Sequence, residues 1–356
     1  MARPRLRDLG IRVGRLEPGP LNAITDVADV EVGYATVVAD APAVVRTGVT
    51  AIWPGGRNIW TRPVFAGIHS FNGNGEMTGA LWIAEQGLLT TPIAITNTHS
   101  VGLVRDAVGA YGTRLGVETP WMLPVAAETF DGTLSDAASL PITMEHAFAA
   151  LESAAGGAIA EGNVGGGTGM ICHEFKGGTG TASRMMTEAG QCWTVGALVQ
   201  ANYGQREMLR IDGVPVGEAI GVDAVPSPRR PRVEAGSIIV VLATDAPLLP
   251  IQCQRLARRA ATGLAWVGGI GANSSGDIFI AFSTANRIDP AAPTSAVTMV
   301  SPDAMTALFR AAAEATEEAI LNALCRAETM TGVRGNTAHA LPLDRLQEVM
   351  RSYKRA

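Results

Sequence analysis

Apolar residues in this chain fall mostly into short unbroken runs separated by polar or glycine-rich turns, the pattern of strands buried on both faces. The clearest run is Ile238-Ile239-Val240-Val241-Leu242-Ala243-Thr244, rich in β-branched residues. Thr91 to Thr96, Trp193 to Ala201 and Ile278 to Ser283 read the same way. Helical spacing predicts a helix over Val101 to Tyr111 with Ser100 as its cap. A second spans about Pro250 to Ala265, with Leu256, Ala260 and Leu264 on one face. A third begins at Pro302, capped by Ser301, and places Leu308, Ala312, Ile320 and Leu324 together. A short amphipathic helix from Pro342 to Tyr353 closes the chain. Strands hidden on both faces with helices outside them predict a layered α/β or α+β architecture. The stretch Pro226-Ser227-Pro228-Arg229-Arg230-Pro231-Arg232 reads as an exposed loop ahead of the strand at Ile238.

Composition narrows the function classes. With 356 residues, 47% apolar and 17% charged, the chain can bury a large core, and disorder is not expected. A formal charge of −5 argues against nucleic acid or an acidic membrane as a partner. No uncharged apolar segment is long enough to span a bilayer, and the first residues carry no secretory h-region. Cys172, Cys192, Cys253 and Cys325 lie far apart, without metal-ligand or disulfide spacing, so no metal or cofactor is expected and a reducing, cytoplasmic setting is the simpler expectation. Cys172 and Cys192 both read as core positions. Gly165-Gly166-Gly167-Thr168-Gly169 lacks the Gly-Lys-Ser/Thr ending of a phosphate loop, so backbone approaching the active site is the better reading.

Gly236-Ser237 stands directly in front of the strongest strand signal. By itself the pair also reads as an ordinary turn. The surrounding segment, Ala235-Gly236-Ser237-Ile238-Ile239-Val240 through Ala243-Thr244-Asp245-Ala246-Pro247-Leu248-Leu249-Pro250, resembles the self-cleavage region of the DmpA-like aminopeptidases, which include L-aminopeptidase/D-amidases and β-peptidyl aminopeptidases. Matching blocks run through nearly the whole chain, among them Gly19 to Val27, Arg46 to Ile52, Thr96 to Gly102, Glu128 to Gly132, Gly162 to Gly169, Lys176 to Arg184, Val199 to Gly204 and Ser275 to Asn286. The resemblance implies an α+β fold, a four-layer αββα sandwich shared with the ornithine acetyltransferases. It implies one catalytic domain, 1–356, that cuts itself into 1–236 and 237–356, and a homo-oligomer, tetrameric in the family.

The implied chemistry centres on Ser237. Freed at its amino end, the serine would carry its own base, because an α-amine titrates near ~7.7–8.0. Gly236 suits the bond that breaks, since a missing Cβ permits close approach and strain. By the family pattern Ser275 hydrogen-bonds the nucleophile or its amine, and Asp277 holds the ammonium form. Some relatives carry Glu at Asp277, whose shorter side chain keeps the charge. Asn202 resembles the side-chain donor to the oxyanion, and it also reads as a capping or turn residue. Glu128 matches the carboxylate that receives a substrate's amino group. Phe130 adjoins it, where some relatives have Tyr, so a hydroxyl contact is lost here. His99 reads as structural. The expected activity is removal of the N-terminal residue from short peptides, amino-acid amides or esters. An acyl transferase of the ornithine type and a non-cleaving binding protein are the alternatives.

Overall fold

The computed structural model describes residues 3–118, 121–188, 190–229 and 236–355. In chain order its elements begin with β1 (Val30–Ala39), β2 (Val45–Pro54) and β3 (Val64–Gly73). Then follow α1 (Ala80–Gln86), β4 (Leu88–Leu89), β5 (Ile93–Asn97), α2 (Val101–Arg114), β6 (Val125–Thr129) and α3 (Met144–Glu152). A small hairpin, β7 (Ile171–Cys172) and β8 (Phe175–Lys176), precedes the long strands β9 (Gly178–Glu188) and β10 (Gln191–Asn202). After α4 (Val216–Ala219) come β11 (Gly236–Thr244), α5 (Pro250–Ala257), α6 (Ala260–Trp266), β12 (Ser275–Arg287), α7 (Met305–Arg326) and α8 (Leu343–Ser352).

Two sheets stack face to face. One has the order β1-β2-β5-β6, the other β4-β3-β12-β11-β10-β9. Helices α2 and α3 cover the smaller sheet, and α5 and α7 cover the larger one, with α6 packed on α7. The result is the expected α+β sandwich of four layers, helix, sheet, sheet, helix. Side-chain alternation explains why its strands read as continuous apolar runs. In β11, Ile239, Val241 and Ala243 enter the core between the sheets. Ile238, Val240 and Leu242 enter the core under α5, α6 and α7.

Several local expectations are corrected by tertiary contacts. The cap at the head of α2 is Asn97, whose Oδ1 accepts the Ser100 N–H at 3.1 Å; the Ser100 side chain makes no cap bond. The helix expected from Pro250 to Ala265 is two helices, divided at Arg258 and Arg259, where the Arg259 guanidinium turns onto the Phe309 ring at 4.0 Å. Ser301 does not cap α7, which begins after Ala304. That helix is also buried on all sides from Ala311 to Cys325, including Glu314, Glu317 and Glu318, so its apolar stripe understates how deeply it lies. Cys172 is buried, whereas Cys192 is exposed beside the turn joining β9 to β10.

The proline- and arginine-rich stretch is less exposed than expected. Pro228 is buried, and the Ser227 hydroxyl donates to Glu174 Oε1 at 2.7 Å. Arg230, Pro231, Arg232 and Ala235 lie outside the described residues. Among the described residues, no helix is long and apolar enough to cross a membrane.

Candidate active site

β11 is a central strand, paired antiparallel to β10 and parallel to β12. Its first residues therefore have neighbours on both edges: Ser237 lies opposite Asn202 on one side and Gly276 on the other. Directly opposed residues project from the same face of a sheet. The Ser237 hydroxyl and the Asn202 carboxamide thus share the face turned toward the smaller sheet. Both line a cavity of about 640 Å³, together with Asn74, Thr98, Glu128, Phe130, Arg229 and Gly236.

Glu128 comes to this cavity from the other sheet. Its strand, β6, runs parallel to β5 and places Glu128 beside Thr96, one turn before Thr98. Glu128 is only 4% exposed, and its charge is answered by two donors. The Glu76 N–H donates to Oε1 at 3.0 Å, and the Thr98 hydroxyl donates to Oε2. Burial raises its carboxyl above the ordinary range, while those two hydrogen bonds hold the rise back. Phe130 is half exposed on the cavity wall. His99 packs against that ring and bonds the Ala137 carbonyl oxygen through Nδ1 at 3.1 Å.

Asn202 is oriented at both ends. Its Oδ1 accepts the Ile171 N–H at 2.9 Å, and its Nδ2 donates to the Phe130 carbonyl at 2.9 Å. A carboxamide nitrogen carries two hydrogens, so one donor remains for the cavity. The glycine-rich segment acts one step behind this contact. It forms a buried single-turn helix between the sheets, with the Gly166 N–H on Thr50 Oγ1 at 3.1 Å, and does not itself line the cavity. Lys176, fully buried, donates its ammonium to the carbonyls of Met170 at 3.0 Å and Gly177 at 2.8 Å. The turn and the lysine together fix the hairpin that carries Ile171.

Ser275 and Asp277 stand on the opposite face. In the β11–β12 register they are aligned with Gly236 and Ile238, one residue to either side of Ser237. The Ser275 hydroxyl donates to Asp277 Oδ1 at 2.7 Å, and the Asp277 carboxylate also accepts the Ile238 N–H. Burial raises the Asp277 carboxyl to about 6 against both hydrogen bonds. Ser275, Asp277, Gly236 and Tyr203 enclose a void of about 20 Å³, enough for roughly one water-sized group.

Gly236 borders both the large cavity and this small void. A Cβ at that position would lie 2.5 Å from the Asn202 carbonyl oxygen and 2.6 Å from Tyr203 Cα. Only glycine fits there without moving β10.

The arrangement divides into a hydroxyl face and a backbone face. Sequence reasoning had marked Ser237, Asn202, Glu128 and Phe130, which meet at the cavity, and Ser275 and Asp277, which meet beneath the backbone of 236–238. It did not single out Thr98, although the segment Thr96 to Gly102 contained it. Arg229 was also missed as a cavity residue, because a proline- and arginine-rich stretch reads as solvated loop.

Comparisons with known proteins identify the family. Peptidase family S58 matches over residues 22–338. The chain is 47% identical to a beta-peptidyl aminopeptidase, BapA, of Sphingosinicella microcystinivorans, covering 99% of this chain and 93% of that protein. Its fold is similar to a solved Burkholderia sp. beta-aminopeptidase, with a TM-score of 0.93 at 52% identity and 99% coverage of both chains. It is similar, too, to the L-aminopeptidase D-Ala-esterase/amidase of Ochrobactrum anthropi, described as a variant of the Ntn hydrolase fold, with a TM-score of 0.92 at 45% identity and 99% coverage of both. A match across nearly all of the sandwich, including the strands that carry Ser237, Asn202 and Glu128, places this chain in peptidase family S58.

Proposed function

We propose that this chain is a self-processing serine aminopeptidase that removes the N-terminal residue of short peptides or amides, with β-amino residues as its preferred class. The observation that carries the reading is one cavity holding Ser237, Asn202 and the buried carboxylate of Glu128, with Gly236 immediately upstream of the serine. The preference for β-amino residues rests on the names of the beta-peptidyl aminopeptidase relatives. The family match favours hydrolysis over acyl transfer to ornithine.

Maturation begins with attack of Ser237 Oγ on the Gly236 carbonyl carbon. The peptide nitrogen leaves as the Ser237 amine, giving an ester between Gly236 and Ser237 Oγ. Water then cleaves that ester, releasing the Gly236 carboxylate and restoring the hydroxyl. The new α-amine sits beside Ser275 and Asp277, and the small void there has room for an ammonium group. This accounts for an acid and a hydroxyl aimed at the backbone rather than at Ser237 Oγ.

Turnover repeats the chemistry on a substrate. The neutral α-amine accepts the hydroxyl proton while Oγ attacks the substrate carbonyl carbon. The spare Asn202 N–H receives the oxyanion, and the leaving amine takes the proton from the Ser237 ammonium. Water hydrolyses the acyl ester in a second, equivalent cycle. Glu128 anchors the substrate's own ammonium, which fixes the distance from that charge to the bond attacked.

Cytoplasmic location and homo-oligomeric assembly belong to the same reading, supported by four free cysteines and by the family pattern. The deciding experiment compares free-amine and N-acetylated p-nitroanilides of paired α- and β-amino acids. Preferred turnover of free β-amino substrates is expected. Efficient turnover of the acetylated compounds would overturn the assignment.

A further inference from the structure

Helix α7 carries three carboxylates into the protein interior, Glu314, Glu317 and Glu318. Two of them have protein partners. Glu318 pairs with Arg184 at 2.7 Å and Arg7 at 2.8 Å. Glu314 accepts the backbone N–H groups of Arg15 and Leu16, each at 2.9 Å, and reaches Arg184 at 3.3 Å, all through Oε2, while the residue also lines the cavity described next. Glu317 is different: it is 5% exposed and receives no hydrogen bond or ion pair from any described residue.

A carboxylate set this deep without a protein partner is disfavoured in its charged form. Here the carboxylate opens into a cavity of about 480 Å³ whose other walls include Arg15, Asp212, Trp266, Arg310 and Glu314. None of these residues lines the active-site cavity. The walls therefore combine buried acid with two exposed arginines and the half-exposed indole of Trp266 at the mouth. The guanidinium groups disfavour a bare metal ion, and among the described residues no cluster of three or more His, Cys, Asp or Glu side chains could hold one. They suit a ligand that brings its own carboxylate, which Arg can meet bidentately. An ammonium group on the same ligand would supply the cation that Glu317 lacks.

We propose that this cavity is a second binding site for a free amino acid, with its ammonium on Glu317 and Glu314, its carboxylate on Arg310 and Arg15, and its side chain against Trp266. Burial pushes the empty Glu317 carboxyl up to about 7. Arg184 opposes that rise while Asp212, Glu314 and Glu318 add to it. Ligand binding near neutral pH accordingly releases a proton. The site takes the chemical class of product that the proposed reaction releases, but its existence does not depend on that reaction.

Calorimetric titration of the mature enzyme with L-leucine tests the site, with n-pentylamine and 4-methylpentanoate as probes lacking one charge each. Saturable binding is expected that survives Glu128→Gln and weakens about tenfold or more in Glu317→Gln and in Arg310→Ala. The binding should quench fluorescence in wild type and leave Trp266→Phe unquenched. Circular dichroism of Glu317→Gln should match wild type, since an unpaired carboxylate is replaced by an isostere. Binding that Glu128→Gln removes, or that Glu317→Gln leaves unchanged, would overturn the second site. Binding of n-pentylamine as tight as that of leucine would overturn the role given to the arginines.

Discussion

Ser237 lies directly across the β10–β11 ladder from Asn202, so its hydroxyl and the Asn202 carboxamide emerge side by side from one face of the central sheet. The groups expected to manage the freed amine, Ser275 and Asp277, emerge from the other face. One strand thus separates the hydroxyl proposed to attack from the groups proposed to hold the freed amine, and the backbone of 236–238 passes between them.

The proposed double use of Ser237 has a direct test. Ser237→Ala should give an intact, folded chain without activity, because self-cleavage and substrate attack lose the same oxygen. Wild type should give two bands on a denaturing gel, with the smaller beginning at Ser237. A fully active enzyme that runs as one full-length band would refute self-processing.

Gly236→Ala should slow maturation. Its methyl group would meet the Asn202 carbonyl and Tyr203 Cα at distances no folded chain tolerates, so β11 must shift away from the residues it is paired with. Time-resolved mass spectrometry should show precursor persisting in Gly236→Ala after wild type is fully cut. Equal cleavage rates would show that the close packing at this bond has no part in the reaction.

Asp277 is expected to set where the acidic limb of the pH profile falls. A carboxylate beside the freed amine favours its ammonium form, and so raises the pH at which the amine loses its proton and becomes available as the base. Asp277→Asn should lower kcat by about 100-fold and move the acidic limb to lower pH, because the amine loses the anion that favours its ammonium form, while the purified protein still melts cooperatively. An unchanged profile in the mature variant would remove Asp277 from the amine's environment.

Glu128 is assigned to binding rather than to self-cleavage. Glu128→Gln should therefore mature normally yet lose about 1.5–3 kcal/mol of recognition for free-amine substrates, the value of a hydrogen bond to a charged group. The loss should appear mainly in KM. If Glu128→Gln blocks cutting at Ser237 and spares KM, the two roles have been exchanged.

Glu317 makes a prediction about stability that needs no ligand. Its carboxyl sits at about 7 in the folded chain and near ~4.3 when unfolded. Between those values the native state binds the extra proton, so stability falls as pH rises, and the loss is complete above pH 7. Glu317→Gln should match wild type near the lower end and exceed it by ~1–3 kcal/mol at the upper end. Thermal melts across that range should show the gap widening with pH. A constant gap would mean that Glu317 is already charged and paired in the wild type.

How much of this was legible in the sequence follows from which forces act locally. Strand β11 could be read because both of its faces are buried, which demands an unbroken apolar run whatever packs against it. The same applies to β5, β10 and the core of β12. Glu128, Asn202, Ser275 and Asp277 could be named through family resemblance, since each stands inside a recognisable block.

Tertiary structure alone decided how these residues are shared between two faces of a sheet. Parity along a strand fixes which residues project together, but the register between β10, β11 and β12 fixes which strands' residues meet, and register comes from packing. The same packing buried α7 on every side, moved the cap of α2 from Ser100 to Asn97, and divided the expected 250–265 helix at Arg258 and Arg259. It also set Glu317 into the floor of an open cavity. A helical acid reads as solvent-facing until the neighbours that exclude solvent are known, because burial belongs to the surroundings and not to the residue.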